Sequence, residues 1–132
     1  MALLVPDVGE VLLLSYSLNK VVQGDVKLRL FTNNYTPVEA SVLASFTEAV
    51  AAGYAAITLT GASWTIASAA GVTTAEYVEQ TFTLTAASTD YGYYITNNAG
   101  TQVLWAERFT DAPHTIPSGG GTEKITVKIQ GE

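Results

Sequence analysis

His114 is the one side chain here that titrates near neutral pH. It stands between Pro113 and Thr115, with Asp111 three residues before it. Nucleophilic catalysis needs a base of this type beside a hydroxyl and an orienting carboxylate. The sequence has no Gly-x-Ser-x-Gly elbow to carry such a hydroxyl, so His114 reads as a surface or interface histidine. Paired carboxylates are the other candidates. Glu76 and Glu79 are close in sequence, and the fold could bring Asp90, Glu107 and Asp111 together. A glycoside-cleaving pair must flank a cleft. Glu79 and Glu107 instead alternate with apolar residues, the pattern of a solvated strand face or of charges paired with cations such as Arg108. Ser118-Gly119-Gly120-Gly121-Thr122-Glu123-Lys124 lacks the Gly-x-x-x-x-Gly-Lys spacing and precedes a strand, so it reads as a β-turn and not a phosphate loop. No calcium loop of alternating aspartates is present, and with no cysteine there is neither thiolate chemistry nor a disulfide. The expectation is a non-enzymatic chain with no catalytic residues, no metal and no cofactor.

The elements that would position these groups are mostly strands. The 132 residues suit one hydrophobic core, and only 14% are charged. Thr, Val, Ala, Tyr and Gly outweigh the helix formers, which favours strands and turns. The strongest pattern is Tyr91 to Phe109. An aromatic run is followed by Asn97-Asn98-Ala99-Gly100, residues that tolerate a tight reversal, and then by a second alternating run. Tyr91, Tyr93 and Ile95 share one face of the first run; Val103, Trp105, Glu107 and Phe109 share one face of the second. Period-two alternation predicts further strands over Val26–Thr32, Tyr54–Thr60, Trp64–Ala67, Tyr77–Thr85 and Lys124–Gln130, with a short extended piece at Thr115–Pro117. Ser68 to Thr74 reads as a small-residue loop. Residues 36–52 read as loop with an extended piece at Phe46 to Glu48, helix being the alternative.

One helix is expected, over residues 7–19. Asp7 serves as N-cap with Glu10 three residues on, and Asn19 ends it. Val8, Val11, Leu12, Leu14 and Leu18 form its apolar stripe. The fold class is therefore all-β: an antiparallel, jelly-roll-like β-sandwich of roughly eight strands with one short N-terminal helix. An N-terminal helical arm covers 1–22, and a single sandwich domain covers 23–132.

Net charge is −6, and the six basic residues are scattered, which excludes the basic stripe that nucleic acid requires. The apolar stretches at Ala2–Val5 and Val11–Leu14 are too short to span a bilayer, and no signal peptide is visible. No nucleic-acid or membrane partner is expected.

The order of several phrases resembles small virion proteins of tailed phages: the head-decoration, cement and fibre-associated class. The phrases are Leu28-Arg29-Leu30-Phe31-Thr32-Asn33, Phe46-Thr47-Glu48-Ala49, Gly53-Tyr54-Ala55, Trp64-Thr65-Ile66, Gln80-Thr81-Phe82-Thr83, Tyr91 to Ile95, Val103 to Phe109 and Ile116-Pro117-x-Gly-Gly. That resemblance implies a β-sandwich, symmetric self-association with a trimer favoured, and attachment to the major capsid protein on the virion surface. The candidate interface residues are Val8, Val11, Leu12, Tyr35 and Tyr94. The alternative is a tail or fibre module whose Tyr and Trp rings, Trp64 and Trp105 among them, stack on host glycan.

Overall fold

A computed structural model describes residues 4–131. The helix α1 (Asp7–Ser17) comes first. Eleven antiparallel strands follow: β1 (Val26–Phe31), β2 (Ile57–Leu59), β3 (Thr65–Ala69), β4 (Val72–Glu76), β5 (Gln80–Leu84), β6 (Ser88–Asp90), β7 (Gly92–Thr96), β8 (Val103–Arg108), β9 (His114–Ile116), β10 (Gly121–Ile125) and β11 (Lys128–Gly131). The architecture is the expected antiparallel sandwich with one N-terminal helix. The strands exceed the expected eight because the strand expected as Lys124–Gln130 is split into β10 and β11, and because β4 and β6 form outside the expected strands.

The four-stranded sheet has the order β2-β1-β7-β8. Its centre is the aromatic hairpin read from the sequence, with Gly92 opposite Arg108 and Ile95 opposite Trp105. Asn97 Oδ1 accepts from the backbone N–H of Thr101 and Gln102 and so closes the turn. Opposite Ile95 and Thr96, β8 carries one extra residue, a bulge at Leu104. The bulge shifts the alternation by one residue. Val103 therefore does not share a face with Trp105; it packs with Tyr94 and Ala106 on the other side.

Both faces of this sheet are buried. Leu28, Leu30, Tyr93 and Ile95 meet Phe82, Leu84, Ile125 and Val127 in the main core. The opposite face is covered by residues 32–49, which are mostly irregular as expected, with a single 3-10 turn at Leu43–Ser45. This segment folds back along β1: Thr32 N–H donates to Thr47, and Ala49 N–H donates to Leu30. Phe46 is thereby laid on Tyr94, with ring centroids 4.8 Å apart and planes 11° apart.

The other sheets form a bent ladder. β5 pairs with β10, and β4 pairs with β11. The strand expected as Lys124–Gln130 is broken at this corner, and the one expected as Tyr77–Thr85 begins only after it, at Gln80. Tyr77 N–H donates to Val127 there, between the two pairings. Strands that change sheet at a bend are the usual way a sandwich turns a corner. The expected loop at Ser68–Thr74 is instead the β3–β4 hairpin, reversed by Ala70 and Gly71, both at positive φ. Ser88–Asp90 pairs with β9.

The helix starts one residue differently from expectation. Pro6 occupies the N-cap position with extended backbone and no side-chain cap, so Asp7 and Glu10 lie in the first turn. There they complement the positive end of the helix dipole. Asn19, at φ 55°, terminates the helix as expected. Gly9 sits against the backbone of Leu104, where a Cβ would collide with the carbonyl oxygen. The helix weakness that glycine introduces is thus offset by the close approach of α1 to β8. Ahead of the helix, Leu4 exchanges two 2.9 Å main-chain hydrogen bonds with Ala106 and extends the sheet beyond β8. The N-terminal segment docks on its own sheet through this bridge, Gly9 and Leu12.

Candidate functional site

Three places carry chemistry or exposed recognition surface. The first is built around His114, on the short β6–β9 ladder. Register places His114 opposite Asp90. The imidazole lies flat on Phe109, with centroids 4.2 Å apart and planes 6° apart. Its Nδ1 is 3.0 Å from both carboxylate oxygens of Glu123, and its Nε2 is 2.7 Å from Asp111 Oδ1. A neutral imidazole has one N–H donor, and an imidazolium has two. With an ionised carboxylate at each nitrogen, the geometry selects the imidazolium. Burial works against that charge, but the bonds to Asp111 and Glu123 outweigh it and raise the pKa above its ordinary 6.5. The same contact lowers the Asp111 carboxyl.

Asp90 completes the cluster from below. It is fully buried. Ser88 Oγ donates to its Oδ1 at 2.7 Å, while Oδ2 has no hydrogen-bond partner. Burial raises its pKa, opposed by the Ser88 bond and the nearby His114. Both ring nitrogens of His114 are committed to carboxylates, so this imidazole activates no hydroxyl. The arrangement holds a proton and ties β9, β10 and the residues after β8 together.

The expected carboxylate groupings resolve differently. Asp111 bonds His114, and Asp90 stands across the β6–β9 ladder from it without a hydrogen bond to the ring. Glu107 instead accepts from Tyr93 Oη at 2.6 Å, and burial followed by that bond raises the Tyr93 pKa. Glu76 and Glu79 face Lys128 and Lys124 respectively. Among the described residues no group of three or more acidic or histidine side chains has metal-binding geometry. Glu123 was legible as an inward residue, because it shares the odd-numbered phase of Ile125 and Val127; its link to His114 depends on how β9 and β10 pack together.

The second place is an open groove of about 730 Å³ between the four-stranded sheet and the β11-β4-β3 sheet. Val26, Leu59, Trp64, Ile66, Trp105 and Ile129 supply most of its lining. Trp64 stands edge-on to Tyr77 at 5.1 Å. The indole N–H of Trp105 is buried without an acceptor.

The third place is the outer face of α1. Val11 and Leu14 are about two-thirds exposed and Leu18 more so, and Val22 just beyond is 85% exposed. Of the five interface residues expected from sequence, Val11 alone lies in this exposed stripe. Leu12 and Tyr94 are buried, Leu12 in the main core and Tyr94 beneath Phe46. Val8 and Tyr35 are half-buried against the same aromatic cluster. The helical stripe was drawn one turn-face too wide: its Leu12 side goes inward and its Val11, Leu14 and Leu18 side outward. Tyr93 and Tyr94 point to opposite sides of β7, which predicts that one of them meets solvent or a partner; both are buried, because the folded-back segment 32–49 covers the second face.

The two charged residues of the hairpin are also satisfied within the chain, Glu107 by Tyr93 and Arg108 by the Tyr35 carbonyl and the Tyr91 ring. Among the described residues no helix is long and apolar enough to cross a membrane. Compared with family models, with curated proteins and with solved structures, the chain gives no match.

Proposed function

We propose that this chain is a non-enzymatic phage virion protein, a capsid decoration or cement subunit that binds the major capsid protein on the outer surface of the shell. The observation that carries the reading is the two-sidedness of α1. One side is fixed on β8 through Gly9 and Leu12, and the other presents Val11, Leu14 and Leu18 to solvent, continued by Val21 and Val22. A stripe of large apolar residues on a rigidly docked helix suits binding by area and shape, without chemistry. Three copies at a local three-fold position would gain avidity from contacts that are weak singly.

The glycan-binding alternative draws on Trp64, which is half-exposed at the groove. It is weakened by the burial of Tyr93, Tyr94 and Trp105, since stacking on a sugar needs open ring faces. Purified protein added to undecorated capsids, to tails and to a glycan array separates the readings. Saturable binding to capsids alone supports decoration. Binding to tails or to glycans, with none to capsids, overturns it.

A further inference from the structure

We propose that two copies of this chain join edge to edge through β3, in antiparallel register about a two-fold axis at Ala67, making one continuous sheet from β11 of one copy to β11 of the other.

Two other strand edges are met by main chain from elsewhere in the fold. The edge of β8 is taken by Leu4. Next to β5, Thr85 N–H donates to Ala52 and Gly53 lies against the β5 backbone. β3 is the outermost strand of its sheet, and all five of its residues are exposed. Edge strands are ordinarily blunted by charge, by proline or by a bulge. β3 has none of these: its register with β4 is unbroken, and residues 65–75 contain neither a charged residue nor a proline.

The register follows from the turn. A two-residue reversal with positive φ at Ala70 and Gly71 makes Ala69 and Val72 a hydrogen-bonded pair. Alternation then directs the main-chain groups of Thr65, Ala67 and Ala69 toward β4, and those of Ile66 and Ser68 outward. In an antiparallel pair centred on Ala67, Ile66 of each copy stands opposite Ser68 of the other. Both outward residues exchange both of their hydrogen bonds, and the side chains meeting at the axis are two alanine methyls. Ile66, itself 69% exposed at the groove rim, lies diagonal to its symmetry mate.

The self-complementary register selects a second copy as the occupant, and the absence of charge on the strip permits it. Each chain carries −6, so copies repel except where a contact strip is free of charge. The strip from Thr65 to Ala75 meets that condition, and an isologous strand contact is complementary to itself by construction. The pairing stands on the edge geometry and not on the capsid reading; on a shell it would join one three-fold cluster to the next.

Sedimentation of the full chain across a roughly hundredfold concentration range tests the association by mass action, together with amide exchange at Ile66 and Ser68. These two amides face away from β4, so protection of them reports a contact from outside the hairpin. The expected result is a reversible dimer in which both amides exchange roughly tenfold or more slowly as concentration rises. Ser68→Pro removes one outward donor and leaves the main-chain bonds to β4 in place, while the Ser68 Oγ contact with Thr73 Oγ1 is lost. Ile66→Lys puts two cations near the axis. Each variant should sediment as a monomer with an unchanged circular dichroism spectrum. Unprotected Ile66 and Ser68 amides at the highest concentration overturn the proposal, as does an oligomer that survives both variants. Capsid binding is measured separately, so either reading can fail while the other stands.

Discussion

His114 and Glu123 face each other through one ring nitrogen and two carboxylate oxygens, each 3.0 Å away, with Asp111 2.7 Å from the opposite nitrogen. Stability should therefore depend on pH with a definite sign. The His114 pKa is raised in the folded chain, so its contribution is fully present below the unfolded value of 6.5 and is lost as pH rises through the higher folded value. Asp90, also raised, acts in the same direction across a lower range beginning at 3.8. Asp111 is lowered, so its contribution is present above 3.8 and fades as pH falls through the folded value. Thermal melts should show greater stability near pH 6 than near pH 9. In His114→Gln that difference should shrink; an undiminished slope would place the effect elsewhere.

Glu123→Gln keeps the shape of the side chain and removes its charge. Its carboxylate is largely buried beside the ring. Losing a hydrogen bond between charged groups there should cost about 1–3 kcal/mol at pH 6. The cost should shrink as pH rises through the raised His114 pKa and the imidazolium loses its proton. Urea unfolding at pH 6 and above that pKa measures both.

Phe46→Ala should be among the most damaging single changes outside the strands. The ring stacks on Tyr94, meets Phe31 edge-on at 5.2 Å and Tyr35 at 5.5 Å. Truncation of a buried aromatic costs about 3–5 kcal/mol. It should also uncover Tyr94, whose hydroxyl pKa is pushed up to about 12 by burial first and then by Glu48. Equilibrium unfolding gives the first quantity, and a spectrophotometric tyrosine titration shows whether one phenol returns toward 10.

Gly9→Ala reverses the usual expectation for a helix interior. Alanine improves helix propensity by about 1 kcal/mol. Here the added methyl meets the Leu104 carbonyl, and backbone displacement of this kind costs about 1–3 kcal/mol. The variant should melt below the parent. A rise in melting temperature would mean that α1 is not held so close to β8.

Leu14→Asp and Leu18→Asp place charge on the outward face of α1, at positions already exposed. Stability should change by less than about 0.5 kcal/mol, as for surface positions in general. Capsid binding should fall at least tenfold. Full binding by the double variant would remove α1 from the attachment surface.

Much of the architecture was legible because local chemistry and global fold agree. The β7–β8 hairpin announces itself in Asn97 and Gly100, and β1 in the alternation of Val26, Leu28 and Leu30 with Lys27 and Arg29. The failures have specific causes. Ala70 occupies a left-handed turn position usually given to Asn or Gly, so β3–β4 read as loop. The odd-numbered run Ile125, Val127, Ile129 continues through a corner without changing phase, so two strands read as one. The bulge at Leu104 is silent in composition. His114 looked isolated because Asp90 is set opposite it by strand pairing and Glu123 reaches it from β10 by packing against β9, and neither relation is written in spacing along the chain.

The bridge between Leu4 and Ala106 closes nearly the whole chain into one loop, with roughly a hundred residues between its ends. The entropy of closing so long a loop is met by the intervening sandwich, which holds the two ends together. Conversely, opening it releases two main-chain hydrogen bonds and bares the edge of β8 while leaving the aromatic hairpin intact. Departure of this segment would add the edge of β8 to the already open edge of β3 as a place for strand pairing.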